Sequence, residues 1–167
     1  MRRLLPVVPL MLGGMLAHAA VTGFEQVVHA STLIARGHVE RVGAGEGGWG
    51  QKGVVTIKEV IHGPQVQQLD ALAQDNSFSG VEVDLLPGND QLLFLRQEKL
   101  GNRDVWVVLE AFVVDAGGTV RLGSGSTTWW VMKPKSYADA VAGIRAELAR
   151  PVPAPPPRDA TKRAPPP

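Results

Sequence analysis

The chain has 167 residues, no cysteine and nearly balanced charge, with 17 Lys and Arg against 16 Asp and Glu. This length suits one domain with appendages. Without cysteine the chain has no disulfide and no lipoprotein lipid anchor, so its core alone must hold the fold. Binding to nucleic acid or anionic lipid by charge requires a basic excess, which the composition does not provide.

The first 19 residues have the form of an export signal. Arg2 and Arg3 precede an apolar run over residues 4–16, and Ala17-His18-Ala19 has the A-x-A form of a signal-peptidase site. The run is shorter than the ~20 residues that a membrane span needs. We therefore expect cleavage after Ala19 and an exported protein, periplasmic or secreted, with no transmembrane segment in the mature chain. Cleavage removes two of the 17 basic residues and no acid, which leaves a net charge of −1.

Residues 20–150 are expected to form one domain that starts with a short helix. Thr22 and Glu25 have the spacing of a capping box, which marks the beginning of a helix. Alternating apolar and polar residues then predict three strands, at residues 32–42, 54–61 and 65–72. Gly37 lies inside the first of them and indicates a bulge or a tight barrel bend.

The second half of the domain contains the two strands around which we expect the others to pack. Residues 81–85 alternate in the pattern of a half-buried strand, whereas residues 92–95 are apolar on both faces, which is typical of a covered or closed sheet. Further strands are predicted at residues 105–115, 120–122 and 127–132. Ser136 and Asp139 form a second capping box, which begins an amphipathic helix that Pro151 ends. Residues 151–167 are rich in proline and are predicted to be a spacer or a disordered tail.

Together these elements predict an all-β fold with small α content, and their order is similar to that of a known family. The similarity rests on "apolar-Arg-Gly-x-Val" around Arg36 and Gly37, on "Val-Ile-x-Gly" ending at Gly63, and on "Pro-Gly-x-x-x-Leu-Leu-Phe-Leu" ending at Leu95. The similarity covers residues 24–122. Over this range the chain resembles exported bacterial domains related to the tissue inhibitors of metalloproteinases, within the netrin-like superfamily. The resemblance implies a closed OB-like barrel of five to six strands, flanked by a short N-terminal helix and a C-terminal amphipathic helix.

The resemblance also implies a partner but no chemistry. The animal inhibitors chelate the zinc of a protease through an N-terminal cysteine that disulfides brace, and this chain has no cysteine. Zinc-directed inhibition therefore cannot be carried over to any residue. The family implies a non-catalytic exported module that binds a protein outside the cytoplasm. The more specific expectation is that this partner is a protease.

Motifs that could carry chemistry favour structural roles. Residues 43–48 satisfy G-x-G-x-x-G, but a strand follows instead of the helix that a dinucleotide site needs, so residues 43–53 are predicted to be a mobile hairpin loop. The three histidines His29, His38 and His62 are isolated in the sequence, without a partner at a metal-ligand spacing, and only the fold could bring distant residues to them. Glu82, Asp84 and Asp90 lack the spacing of a calcium loop and are expected to be solvated, and Ser124 and Ser126 do not match the G-x-S-x-G elbow. We therefore expect no catalytic residue, no metal and no cofactor.

Three tryptophans are the candidate partner-binding residues. Trp49 lies in the predicted loop, and of the neighbours Trp129 and Trp130 one should point outward, because successive strand residues face opposite sides. An exposed tryptophan anchors a protein partner or stacks on a sugar ring, so a cell-envelope oligosaccharide is the alternative ligand. The structural reading, in which these rings cover the barrel end or pack on the C-terminal helix, stays open.

Overall fold

Strands dominate the computed structural model, which describes residues 23–73, 85–122 and 135–152. The elements in chain order are α1 (Phe24–Ala30), β1 (Leu33–Ala44), β2 (Gln51–His62), β3 (Gln68–Ala73), β4 (Asp90–Leu100), β5 (Arg103–Val114), β6 (Thr119–Leu122), β7 (Lys135–Ser136) and α2 (Tyr137–Leu148). The predicted all-β class with small α content is confirmed.

The first five strands close into a barrel. Antiparallel ladders join β3 to β2, β2 to β1, β1 to β4 and β4 to β5, and a parallel contact between β3 and β5 completes the circle. That last seam is short, with Ala71 opposite Trp106 and Leu72 opposite Val107. β6 and β7 extend the sheet outside the barrel. The expected OB-like closed barrel is thereby confirmed.

Two apolar cores explain why β4 is apolar on both faces. Leu93 and Leu95 point into the barrel, while Leu92 and Phe94 point outward beneath the two helices. The ring of Phe94 meets that of Phe112 edge to face, with centroids 5.9 Å apart. The helices therefore cover one outer face of the barrel, and β4 is the strand that both cores share.

The hairpin between β1 and β2 has longer strands and a shorter turn than its glycine content suggests. β1 continues to Ala44 and β2 begins at Gln51, so the prediction of a loop over residues 43–53 is wrong at both ends. Gly53 stays in the ladder because its missing side chain makes room for Leu85, whose Cδ1 would lie 2.6 Å from a Cβ there. The bulge expected at Gly37 is confirmed by the shift in register between Arg36 and Gly37.

The two helices differ in how they begin. The N-cap of α1 is Gly23, whose extended backbone precedes the first turn and which makes no side-chain cap, so the capping box predicted on Thr22 is wrong. α2 begins as predicted, because the Ser136 hydroxyl accepts a hydrogen bond from the Asp139 N–H at 3.0 Å. Among the described residues, neither helix has the length and apolar character to span a bilayer.

The cap of α2 gives a first testable expectation. Ser136→Ala should lower the free energy of unfolding by about 1 kcal/mol, because the Asp139 N–H loses its acceptor. Ser136→Thr keeps a hydroxyl and should lose much less. Urea unfolding followed by circular dichroism compares the two variants, and equal losses would show that the cap contributes nothing.

Several predictions fall outside the described residues. These are the export signal, the strand at residues 127–132, the proline-rich tail and most of the strand at residues 81–85. From the last of these, only Leu85 is described, and it is buried in the barrel core.

Candidate functional site

The turn between β1 and β2 is seated on the tip of the β4–β5 hairpin. Gly47 has a φ of +62°, and a Cβ at this residue would overlap Cδ1 of Leu100, so both its backbone and its surroundings favour glycine. Within the turn, the Trp49 N–H donates to the Glu46 carbonyl at 3.1 Å. The G-x-G-x-x-G segment thus forms a hairpin turn followed by a strand, and it is held by contacts that its sequence did not predict.

A chain of ion pairs runs from this turn across three strands. Glu46 accepts from Arg103 of β5 at 3.0 Å and lies 3.5 Å from the Lys52 ammonium on β2. Lys52 in turn lies 3.2 Å from Asp70 of β3. The hydrogen bond from Arg103 lowers the pKa of Glu46, and the hydrogen bond to Asp70 raises the pKa of Lys52. Both shifts favour the charged forms of Glu46 and Lys52.

The same residues border a cleft of about 290 Å³ between β3 and β5, which we call the β3–β5 cleft. Its apolar lining consists of Leu69, Leu72, Val105 and Trp106. Its polar lining consists of Glu46, Lys52, Gln68, Asp70, Arg103 and Asp104. The cleft therefore offers apolar surface surrounded by charges of both signs.

The three predicted tryptophans are only partly placed by the structure. Trp49 is half-buried in the turn that supplies Glu46, whereas Trp129 and Trp130 lie outside the described residues. Trp106 is the tryptophan that lines the cleft, and the sequence analysis treated it only as part of a strand. Its position at the end of the β3–β5 seam depends on barrel closure, for which the sequence carries no local signal.

A second polar cluster surrounds Asp90 on the outside of the barrel. The carboxylate accepts from Arg36 at 2.7 Å, from Lys58 at 2.7 Å and from the His38 ring nitrogen Nδ1 at 2.9 Å. Burial raises the pKa of Asp90, but these hydrogen bonds outweigh it and lower the pKa to about 2. The expectation that Asp90 is a solvated turn residue is therefore wrong, because the β1–β4 register sets it opposite His38, which is isolated only in the sequence.

This cluster extends to α2 through Arg36. The guanidinium lies 5.2 Å from the centre of the Tyr137 ring, and the Tyr137 hydroxyl donates to Glu59 of β2 at 2.9 Å. Burial and the Glu59 carboxylate both raise the pKa of Tyr137, which keeps the phenol neutral. The arrangement ties β1, β2, β4 and α2 together, and we interpret it as a structural feature.

The three histidines of the expected mature chain lie in separate environments. His29 of α1 lies 3.2 Å from Glu147 of α2, which also accepts from Arg150 at 2.8 Å. His38 contacts Asp90, and His62 is exposed at the end of β2. Within residues 23–73, 85–122 and 135–152, no three His, Asp or Glu residues are grouped so that they could hold a metal ion.

The remaining acid and serine candidates cannot be located in the same way. Glu82, Asp84, Ser124 and Ser126 all lie outside the described residues. Comparison of the chain with known proteins adds no family to this geometry, since neither a family model nor a curated protein matches it.

Proposed function

We propose that the chain is an exported, non-catalytic binding module of the netrin-like type, and that the β3–β5 cleft contacts a protein partner outside the cytoplasm. The observation that carries this proposal is the cleft itself, where the half-buried side chains of Val105 and Trp106 lie beside the end of the short β3–β5 seam. The contact between Gly47 and Leu100 and the ion pair between Glu46 and Arg103 hold its border in place. A preorganised border lowers the cost of ordering side chains on binding.

The composition of the cleft favours a protein over a polyanion. Its lining carries three acids and two bases, so it offers no excess of positive charge to a phosphate backbone. An apolar centre with a polar rim is the usual anatomy of a protein interface, and Trp and Arg are the residue types that most often dominate its energetics. Trp106 and Arg103 supply both types here.

A more specific form of this proposal is that the partner is a protease. Its support is the resemblance to the tissue inhibitors of metalloproteinases, together with the turn that carries Glu46 and Trp49 beside the cleft. Resemblance of fold alone does not assign a partner. Inhibition in this form would use the shape of the barrel end and no zinc-binding terminus.

An envelope oligosaccharide is the alternative ligand, and Trp106 is the observation that favours it. OB-type barrels bind oligosaccharides on the face of strands two and three and on the neighbouring loops, which is where this cleft lies. Gln68, Asp70 and Glu46 could accept hydrogen bonds from sugar hydroxyls while the indole contacts a ring face.

Site-directed photo-crosslinking tests the proposal, because a chain without cysteine can be labelled at one chosen position. Gln68→Cys places a benzophenone label in the cleft, and Ala142→Cys places the same label on the exposed side of α2 as the matched control. We expect a discrete adduct from position 68 alone, formed in the envelope or the medium of cells that make the protein. A protein adduct supports the first function and a glycan adduct the alternative.

Two results of this experiment would contradict the proposal. Equal adducts from positions 68 and 142, or none from position 68, would show that the cleft is not the binding site. Adducts formed in the cytoplasm alone would contradict export.

A further inference from the structure

We infer that the β3–β5 cleft binds its partner by strand addition: an extended peptide segment pairs through its main chain with the free edges of β3 and β5. This inference rests on the proposed function, since it names the way in which a protein partner engages the same cleft.

The two strands that border the cleft each have an unpaired edge there. Residues 68–70 of β3 pair with β2, and residues 103–105 of β5 pair with β4. Within the described ranges neither segment pairs with anything on its other side, because the parallel contact begins only at Ala71 and Trp106. All six of these residues line the cleft.

An unpaired strand edge presents a row of N–H and C=O groups, and such a row is a template for another extended chain. Peptides use this template in β-augmentation, where main-chain hydrogen bonds supply affinity and alternate side chains enter pockets. Here two edges face the same space. A peptide between them would extend the β3–β5 seam beyond its two residue pairs.

The charged side chains beside the seam do not close it. Asp70 pairs with Lys52 of the neighbouring strand, Arg103 with Glu46 of the turn, and Asp104 with Lys99 across its own hairpin at 2.6 Å. Among the described residues, no ion pair joins residues 68–70 directly to residues 103–105. The side chains are thus engaged away from the seam, which leaves its main-chain edges accessible to a ligand.

The lining also indicates what the peptide carries. The half-buried Val105 and Trp106 form a small apolar surface beneath the edges, and it suits one apolar side chain of the ligand. The paired charges around that surface balance almost completely, so residues of either sign can flank it. The expected occupant is therefore an extended partner peptide with a central apolar residue and a free main chain.

A display library of random heptapeptides provides the probe. The library is panned against the whole protein, and an enriched sequence is synthesised with a fluorescent label and with a single N-methyl group at each position in turn. Strand addition between two edges predicts that N-methylation at successive positions of the paired segment weakens binding about tenfold or more, since neighbouring N–H groups point to β3 and to β5 in turn and each methyl removes a donor and blocks an edge. Methylation of residues that flank the paired segment should matter little.

Val105→Glu and Val113→Glu are the matched variants. Both valines are half-buried residues of β5, but only Val105 lines the cleft. Val105→Glu should abolish binding of the enriched peptide, and Val113→Glu should preserve it, with circular dichroism confirming that each variant is folded. If Val105→Glu fails to fold, the N-methyl series decides alone.

The outcomes separate this inference from the proposed function. Enrichment of no peptide, or tolerance of N-methylation at every position, overturns strand addition. If position 68 still crosslinks a protein in that case, the binding function stands and only its mode is wrong. A glycan adduct from position 68 without peptide binding overturns both the inference and the first function.

Discussion

Replacing Gly63 with alanine should destabilise the barrel by more than about 3 kcal/mol. Gly63 has a φ of +100°, which side chains rarely adopt, and a Cβ there would overlap the Thr32 carbonyl oxygen and lie 3.0 Å from Cα of Leu33. These atoms belong to the backbone at the start of β1 and of the residue before it, and the Thr32 N–H donates to the Leu95 carbonyl at 2.8 Å. The strand cannot move aside without breaking its pairing with β4.

Gly88→Ala is the matched control for this variant. Gly88 also has a positive φ, +78°, but nothing lies within 4 Å of the position of its Cβ. Its substitution should cost only the conformational strain, about 1 kcal/mol. Urea unfolding of both variants measures the difference, which is the contribution of the close approach. Equal losses would show that Gly63 is required for its φ alone.

Asp90→Asn should lower the free energy of unfolding by about 2 kcal/mol at neutral pH. The amide keeps the shape of the side chain but removes the charge that Arg36, His38 and Lys58 share. A folded-state pKa of about 2 against an ordinary value of 3.8 corresponds to roughly that free energy. The Asp90 side chain is only 14% exposed, so solvent screens this interaction less than it screens a surface ion pair.

The contribution of Asp90 to the free energy of unfolding should depend on pH. Because the pKa of Asp90 is lower in the folded state, its contribution is complete above about pH 4 and is lost as the pH falls towards 2. The wild-type protein should lose this share of stability across that interval, and Asp90→Asn should not. Asp104→Asn, which removes a half-exposed carboxylate, is the control and should change stability little. Parallel acid unfolding curves of the wild type and Asp90→Asn would contradict the assigned role.

The sequence predicted the elements whose signals are local. Residues 92–95 were recognised as doubly buried because four consecutive apolar residues leave no polar face, and the helices cover the side that the barrel interior does not. Ser136 was recognised as a cap because its partner Asp139 is three residues away. The same reasoning placed Gly53 in a loop, whereas it lies in a strand against a packed leucine. A glycine in either setting has the same local sequence pattern.

The candidate site had no such local signal. Glu46 and Arg103 are separated by 57 positions, and Arg36 and Asp90 by 54. Charged residues near strand ends are usually solvated, so nothing in their type or spacing marks these pairs. The candidate Trp49 lies in the turn beside the cleft. Trp106 lines the cleft, but it lies within a predicted strand, where its sequence pattern indicates only a strand residue.

The sequence by itself determined that this chain forms strands around an apolar core, that residues 92–95 are buried on both faces and how α2 begins, because these properties depend on neighbours within a few residues. Only the tertiary structure decided that β3 and β5 pair over two residue pairs and that the residues beside this seam line a cleft. It also decided that three donors converge on Asp90. Both outcomes follow from strand register and barrel closure, where a shift of one residue would turn every side chain to the other face.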